Sequence, residues 1–237
     1  MADPFRLVRL ATFNIRHAAR PSGKVDVVAL RQACADLQAD VLALQEVDVA
    51  TERVAGADLA AEAAEACAAV HAFGATIQRH PGEYGNAVLV RGGLEDVEVL
   101  VLPRWQHAEP RGAVLATAVL ADMGRLSVAA CHLGLHGRPM GSEARAQLVD
   151  VLAHLRQRPP PRVVLGDFNL SARRARPLLE ATGMALAGGP ATFPARLPVR
   201  RIDHVGLAEL TPRRVVVPRA PVSDHRPLVV EAVTSRR

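Results

Sequence analysis

Val164-Leu165-Gly166-Asp167-Phe168-Asn169 reads as a strand end that delivers a carboxylate and, two positions later, a carboxamide. Val163–Leu165 is short and wholly apolar, the pattern of a strand buried on both faces. Four other polar groups close apolar runs in the same way. They are Asn14 in Ala-Thr-Phe-Asn, Glu46 in Leu-Gln-Glu-Val, His132 in Cys-His-Leu-Gly, and the cluster Ser223-Asp224-His225. Five such endings point to strands that bring acids, amides and imidazoles to one rim.

Outward from that stretch, Phe5–Phe13 is expected to be a strand ending at Asn14. Residues 25–37 place Val27, Leu30, Cys34 and Leu37 on one helical face, and Val41–Leu44 is a buried strand running into Gln45-Glu46. Gly56–His71 is alanine-rich and is expected to be helical throughout. Asn86–Val90, Val97–Leu102, Ala113–Leu120 and Leu126–His132 are short and β-branched, divided by Gly, Pro or Asp, and read as consecutive strands. Ser142 is expected to cap a helix through about Arg156, with Glu143 favourable in its first turn and Pro159-Pro160-Pro161 stopping it. Ile202–Leu207, Val215–Val217 and Pro227–Val233 form a second β-rich section. Two β-α-β-like halves, each closing with strands, predict an α/β fold: two mixed sheets face to face with helices outside.

The 237 residues fit one domain, 1–237, without a linker or repeat. Hydrophobic residues make up 49% and charged residues 22%, enough for a sizeable core. No apolar run reaches ~18 residues, so no stable membrane insertion is expected. The N-terminus shows no signal-peptide pattern, and Cys34, Cys67 and Cys131 form no CxxC pair. Together these predict a cytoplasmic protein, expected to be a monomer, with reduced thiols. The net charge is +5 and Lys24 is the single lysine, so the excess is carried by arginine, whose planar fork matches phosphate oxygens. One Trp and one Tyr leave few stacking platforms for single-stranded nucleic acid.

Glu46, Asp167, Asp203 and Asp224 follow or interrupt apolar runs, where carboxylates are rare unless paired or metal-bound. Asn14 and Asn169 add neutral oxygens and amide donors. An oxygen-rich set without thiolates favours Mg²⁺ or Mn²⁺ over zinc. His132 and His225 each have a plausible acidic partner, Glu109 in Glu-Pro-Arg-Gly and Asp203 in Arg-Ile-Asp-His. Such pairs raise an imidazole's pKa and fix its tautomer. Most of the other histidines (17, 71, 80, 107, 136, 154 and 204) read as surface residues, with His17 and His136 near the rim.

In this order and spacing the chain resembles the endonuclease/exonuclease/phosphatase superfamily, the fold of deoxyribonuclease I, abasic-site endonucleases, inositol-polyphosphate 5-phosphatases and bacterial sphingomyelinases. The carrying pieces are FN, LQEV, YGNAVLV, EPRG, CHLG, GDFN, TFP, RIDHV and SDHRPL, from Thr12 to Leu228. The resemblance implies a four-layer α/β sandwich and a divalent-metal phosphoester hydrolase. It implies that Glu46 binds the metal beside Asn14, with Asp224 supporting it directly or through water. Asp167 would orient or deprotonate the attacking water, and Asn169 would hold the phosphate. His225, oriented by Asp203, and His132, partnered by Glu109, would contact the scissile phosphate. Val47-Asp48 after Glu46, Phe168 within GDFN and His132 itself depart from the abasic-site branch. Arg16 stands where some nucleases carry an acid, which counts against a second metal there.

Two substrate readings follow. Arg173, Arg174 and Arg176 after GDFN, and Arg196, Arg200 and Arg201 before Asp203, would face the rim and favour nucleic acid. The alternative is a lipid or small phosphoester, with Leu102-Pro103-Arg104-Trp105 as a membrane-facing loop, although Trp105 is expected to pack at the core edge.

Overall fold

A computed structural model describes residues 6–135 and 141–234. Phe5, expected to open the first strand, and His136 lie outside those residues.

The first sheet joins β1 (Leu7–Asn14), β2 (Val41–Val49), β3 (Val70–Gln78), β4 (Glu83–Val90), β11 (Leu210–Val216) and β12 (Leu228–Thr234), in the order β11-β12-β1-β2-β4-β3. The second joins β5 (Gly93–Val101), β6 (Gly112–Leu120), β7 (Gly124–His132), β8 (Arg162–Asp167), β9 (Ala185–Leu186) and β10 (Asp203–Ala208), in the order β5-β6-β7-β8-β10-β9. Each sheet has one parallel pair at its centre, β1 with β2 and β7 with β8, flanked by antiparallel neighbours. A parallel pair needs a crossover, and helices supply it: α1 (Val27–Asp36) in the first half and α3 (Ser142–Arg156) in the second. The remaining helices are α2 (Leu59–Cys67) and α4 (Ala172–Glu180).

Three apolar clusters define four layers. Val8, Leu10, Val128, Ala130, Val163 and Val205 meet between the sheets. Phe13, Leu30, Leu42 and Leu59 pack α1 and α2 on the outer face of the first sheet. Ala129, Leu148, Val164 and Leu179 do the same for α3 and α4 on the second. All three cysteines are buried and unpaired.

Gly166 lets β7 and β8 approach. A Cβ there would sit 1.9 Å from the carbonyl oxygen of Cys131. Gly166→Ala must therefore push the parallel pair apart one residue before Asp167. It is expected to destabilise the fold by about 3 kcal/mol or more, the upper range for overpacking, read from urea unfolding.

Two points depart from the sequence reading: Gly141 rather than Ser142 stands at the N-cap of α3, and α2 ends early. The helix expected to run to His71 ends at Cys67, and Val70–Gln78 is β3. Ala68 turns left-handed (φ 50°) and its N–H bonds the carbonyls of Ala64 and Glu65, closing the helix. The chain then pairs with β4, where Val70, Phe73 and Ile77 are stronger strand than helix formers. Alanine composition masked this boundary.

Candidate active site

Period-two alternation aims the polar strand ends. On β8, Val163 and Leu165 face the inter-sheet core, so Asp167 does too. On β7 the same parity runs Val128, Ala130, His132, and on β1 it runs Val8, Leu10, Thr12, Asn14. On β10 it runs back from Leu207 and Val205 to Asp203. Register completes the convergence, because Asp167 lies opposite both His132 and Asp203. Asn14, His132, Asp167 and Asp203 thus stand at one mouth of the gap between sheets.

Glu46 arrives by a bulge. Leu44 pairs with Ala87 and Val47 with Gly85, so Gln45 and Glu46 together oppose Asn86. Glu46 takes a left-handed conformation (φ 56°), and Val47 packs on the outer side with Leu44. A bulge of this kind re-aims one side chain. The Nδ2 of Asn14 donates to Glu46 Oε1 at 3.0 Å and to Asp167 Oδ2 at 3.2 Å. One amide nitrogen therefore links two carboxylates from opposite sheets.

Asp167 is buried. Its Oδ1 accepts the backbone N–H of Asn169 at 3.0 Å, an Asx turn that fixes the carboxylate. Asn169 (φ 51°) donates its amide to the Leu133 carbonyl at 2.9 Å. Burial, together with the charge of Asp203, pushes the Asp167 carboxyl up to about 7, against His225 and the bonds from Asn169 and Asn14.

His225 Nδ1 lies 3.0 Å and 3.2 Å from the two carboxylate oxygens of Asp203, so Nδ1 carries the proton. Thr192 Oγ1 donates to Asp203 Oδ2 as well. The His225 backbone N–H bonds Ser223 Oγ, which bonds the Asn14 carbonyl at 2.6 Å and ties this loop to β1. Phe193 packs against the imidazole, with ring centroids 4.8 Å apart. Burial opposes a charged imidazole, but the Asp203 hydrogen bond and charge, helped by Asp167 and Asp224, carry the His225 pKa up to about 9. Nε2 points into the site, 3.7 Å from Asp167 Oδ2.

His132 differs from its expected form. Its Nδ1 is 3.1 Å from Arg111 Nη1, and Glu109 binds that arginine at 2.8 Å rather than the imidazole. A guanidinium only donates, so Nδ1 accepts and the proton sits on Nε2, 3.6 Å from Asp167 Oδ2. Burial, then the charges of Arg111 and His225, hold the His132 pKa far below the ordinary range. His132 is a neutral donor, not the acid-paired imidazole expected, and Glu109 acts through Arg111.

The Asp224 carboxylate is 42% exposed and lies 3.9 Å from Arg16 Nε. His204 is fully buried against the Leu170 carbonyl rather than at the surface, and burial pulls it down to about 4. Trp105 is 46% exposed instead of packed at the core edge.

Arg111, Thr192 and Phe193 were not singled out from sequence, although each lies inside a quoted motif. The six arginines expected at the rim scatter. Arg200 lines the cleft, and Arg173 and Arg174 line a cavity beside it. Arg176 pairs with Glu180, while Arg201 turns inward to the Ala187 carbonyl. Arg196 lines a separate hollow with Arg219 and Arg226.

Glu46, Arg111, His132, Asp167, Asn169 and His225 share one cleft of about 210 Å³. Asp167, Asp203 and His225 place ligand-type atoms within 4.8 Å of one another. The oxygens of Asp203 are already engaged by His225 and Thr192, so Asp203 and His225 form a hydrogen-bonded pair that faces Asp167. Glu46 and Asp167, joined through one neutral amide, offer the opening that suits a hard divalent cation.

No curated protein sequence matches the chain. Solved structures match its fold along nearly its whole length. An endonuclease/exonuclease/phosphatase from Beutenbergia cavernae has a TM-score of 0.81 at 23% identity, covering 97% of this chain and 72% of that one. The human Nocturnin catalytic domain with bound sulfate gives 0.71 at 18%, covering 99% and 97%. ANGEL2, a 2',3'-cyclic phosphatase, gives 0.71 at 14%, covering 97% and 95%. Members of this superfamily are phosphoester hydrolases and generally depend on divalent metals. The model of the Endonuclease/Exonuclease/phosphatase family matches residues 11–225, and the chain belongs to that family.

Proposed function

We propose that the whole chain is one catalytic domain, a Mg²⁺- or Mn²⁺-dependent phosphodiesterase that cleaves nucleic acid. The carrying observation is the junction at Asn14, which ties Glu46 of one sheet to Asp167 of the other, faced by the Asp203–His225 pair. Glu46, with Asn14 and Asp167 beside it, would hold the cation, which when bound supplies Lewis-acid neutralisation of phosphate charge. Asp224 would support the cation directly or through water, and its charge also favours protonated His225.

The chain's own groups do the rest. The Asp167 carboxylate takes a proton from water as the water oxygen bonds phosphorus. Protonated His225 and neutral His132 each present an Nε2–H to the phosphoryl oxygens as charge builds there. Asn169 orients the phosphate. The bond from phosphorus to the leaving oxygen breaks, and that oxygen departs with the electron pair and takes up a solvent proton.

Hydrolysis of bis(p-nitrophenyl) phosphate with Mg²⁺ or Mn²⁺, abolished by chelator, is the direct test. Absence of turnover with any divalent ion overturns this reading. The net charge of +5, carried by arginine, favours nucleic acid over a neutral headgroup. Two or three phosphate contacts predict that kcat/KM on an oligonucleotide falls roughly ten- to fortyfold between 50 and 200 mM salt. The small diester should respond by less than twofold. A flat response on both substrates transfers support to the alternative, a lipid or small phosphoester. Exposed Trp105 is the observation that favours that alternative, and vesicle cosedimentation of wild type against Trp105→Ala tests it.

A further inference from the structure

Beside the catalytic cleft lies a second cavity, of about 320 Å³. The two share Leu135, Asn169 and Arg200 as lining, so they form one continuous surface. Asn169 is the partition: its backbone holds Asp167 on one side, and its residue lines the second cavity on the other.

The chemistry of this cavity is one-sided. Arg173, Arg174 and Arg200 line it, and no carboxylate does. Arg173 and Arg200 have no carboxylate partner among the described residues, and Arg200 instead lies 5.7 Å from the Phe193 ring centroid. The first turn of α4, which carries Arg173 and Arg174, contains no acid. Elsewhere this chain pairs its arginines readily: Arg53 with Asp48, Arg31 with Glu62 and Glu65, Arg158 with Glu98. The guanidiniums of Arg173 and Arg200, on one concavity, repel each other, at a cost that an anion of two or more oxygens removes. The mixed cavity near Arg53 and Arg79 also contains Glu52 and lacks this bias.

Resting on the phosphodiesterase reading, we propose that this cavity is a subsite for a second, non-scissile phosphate, held by Arg173 and Arg200 while the scissile phosphate sits across Asn169. The substrate class is then a chain or nucleotide with at least two phosphates, not a lone phosphodiester headgroup.

Two pairs of chromogenic esters test it. Thymidine 5'-(p-nitrophenyl phosphate) is compared with and without a 3'-phosphate, and thymidine 3'-(p-nitrophenyl phosphate) with and without a 5'-phosphate. In one pair the added phosphate is expected to raise wild-type kcat/KM at least tenfold, chiefly through KM. Arg173→Ala, an exposed change on α4, should erase most of that gain, and Arg173→Glu all of it. Both variants should cleave the monophosphate esters within twofold of wild type. Absence of a gain in both pairs, or a gain that survives Arg173→Glu, overturns the subsite. Absence of hydrolysis of any ester overturns the phosphodiesterase reading instead. The subsite is then judged by calorimetric titration with thymidine 3',5'-bisphosphate in chelator, where Arg173→Glu must weaken binding at least tenfold and unchanged binding refutes it.

Discussion

Asp167→Asn is expected to lower kcat by about three orders of magnitude and, in chelator at pH 8, to raise the melting temperature. The first effect follows from losing the group that accepts the proton of the attacking water, a role that contributes roughly 10²–10⁴. The amide keeps the size of the carboxylate and can still accept the Asn169 N–H, while the bond from Asn14 Nδ2 is lost. The second effect follows from the sign of the shift. Asp167 titrates near 7 in the fold, far above its ordinary value, so its ionised form is disfavoured by burial and by Asp203. That penalty is present above pH 7 and fades as pH falls through 7 toward the unfolded value. A neutral amide removes it at pH 8. Activity lost and stability gained in one substitution mark a group kept charged for chemistry. Rates are read on bis(p-nitrophenyl) phosphate and melting by circular dichroism. A near-normal rate removes Asp167 from the role of base. Glu46→Gln belongs to the same test: it should match the loss in kcat and shift the Mg²⁺ dependence to higher concentration.

The convergence of these groups was legible because strand parity and strand ends are local properties. Val163-Val164-Leu165-Gly166-Asp167 and Val128 through His132 announce both the strand and the side on which the last residue emerges. What stayed hidden depends on neighbours distant in sequence. The bulge at Gln45-Glu46 exists only against Asn86 of β4. Glu109 and His132 each had a plausible partner in the other, but Arg111, between them in space, takes both. His204 looks like another polar residue beside Asp203, yet parity sends it to the outer face of β10, where the Leu170 carbonyl engages Nε2 while Nδ1 stays buried without a partner among the described residues. Thr192 sits in a turn motif whose hydroxyl has meaning only once Asp203 is beside it. The end of α2 was invisible for another reason: alanine favours helix, and pairing with β4 decides the next strand instead.

Asp203→Asn carries the second large effect. The residue touches no substrate in the proposed mechanism; it positions His225 and sets its charge. Asp203 is fully buried, and its two oxygens receive His225 Nδ1–H and the Thr192 hydroxyl. An amide in its place keeps one acceptor but removes the negative charge that lifts the imidazole to about 9. Burial, which that charge outweighs in the wild type, then acts with less opposition and draws His225 back down toward its ordinary range. At pH 8 the imidazole becomes neutral, and the cation facing the phosphoryl oxygens is gone. A loss of about 10²–10³ in kcat is expected, the scale of removing one preorganised charge or donor. The diagnostic readout is the pH profile. Wild-type kcat/KM should fall on the basic side near pH 9, and the variant's basic limb should move at least two pH units toward acid. Histidine Cε1–H resonances followed by NMR report the same shift without turnover. Stability gives a third reading. A group whose pKa is raised in the fold stabilises it fully below the unfolded value and loses that contribution as pH climbs through the folded one. Wild-type stability should therefore decline between about pH 6.5 and 9, and the variant should lack that slope. A variant with lowered rate but an unmoved basic limb separates Asp203 from the charge on His225 and leaves it a packing role alone.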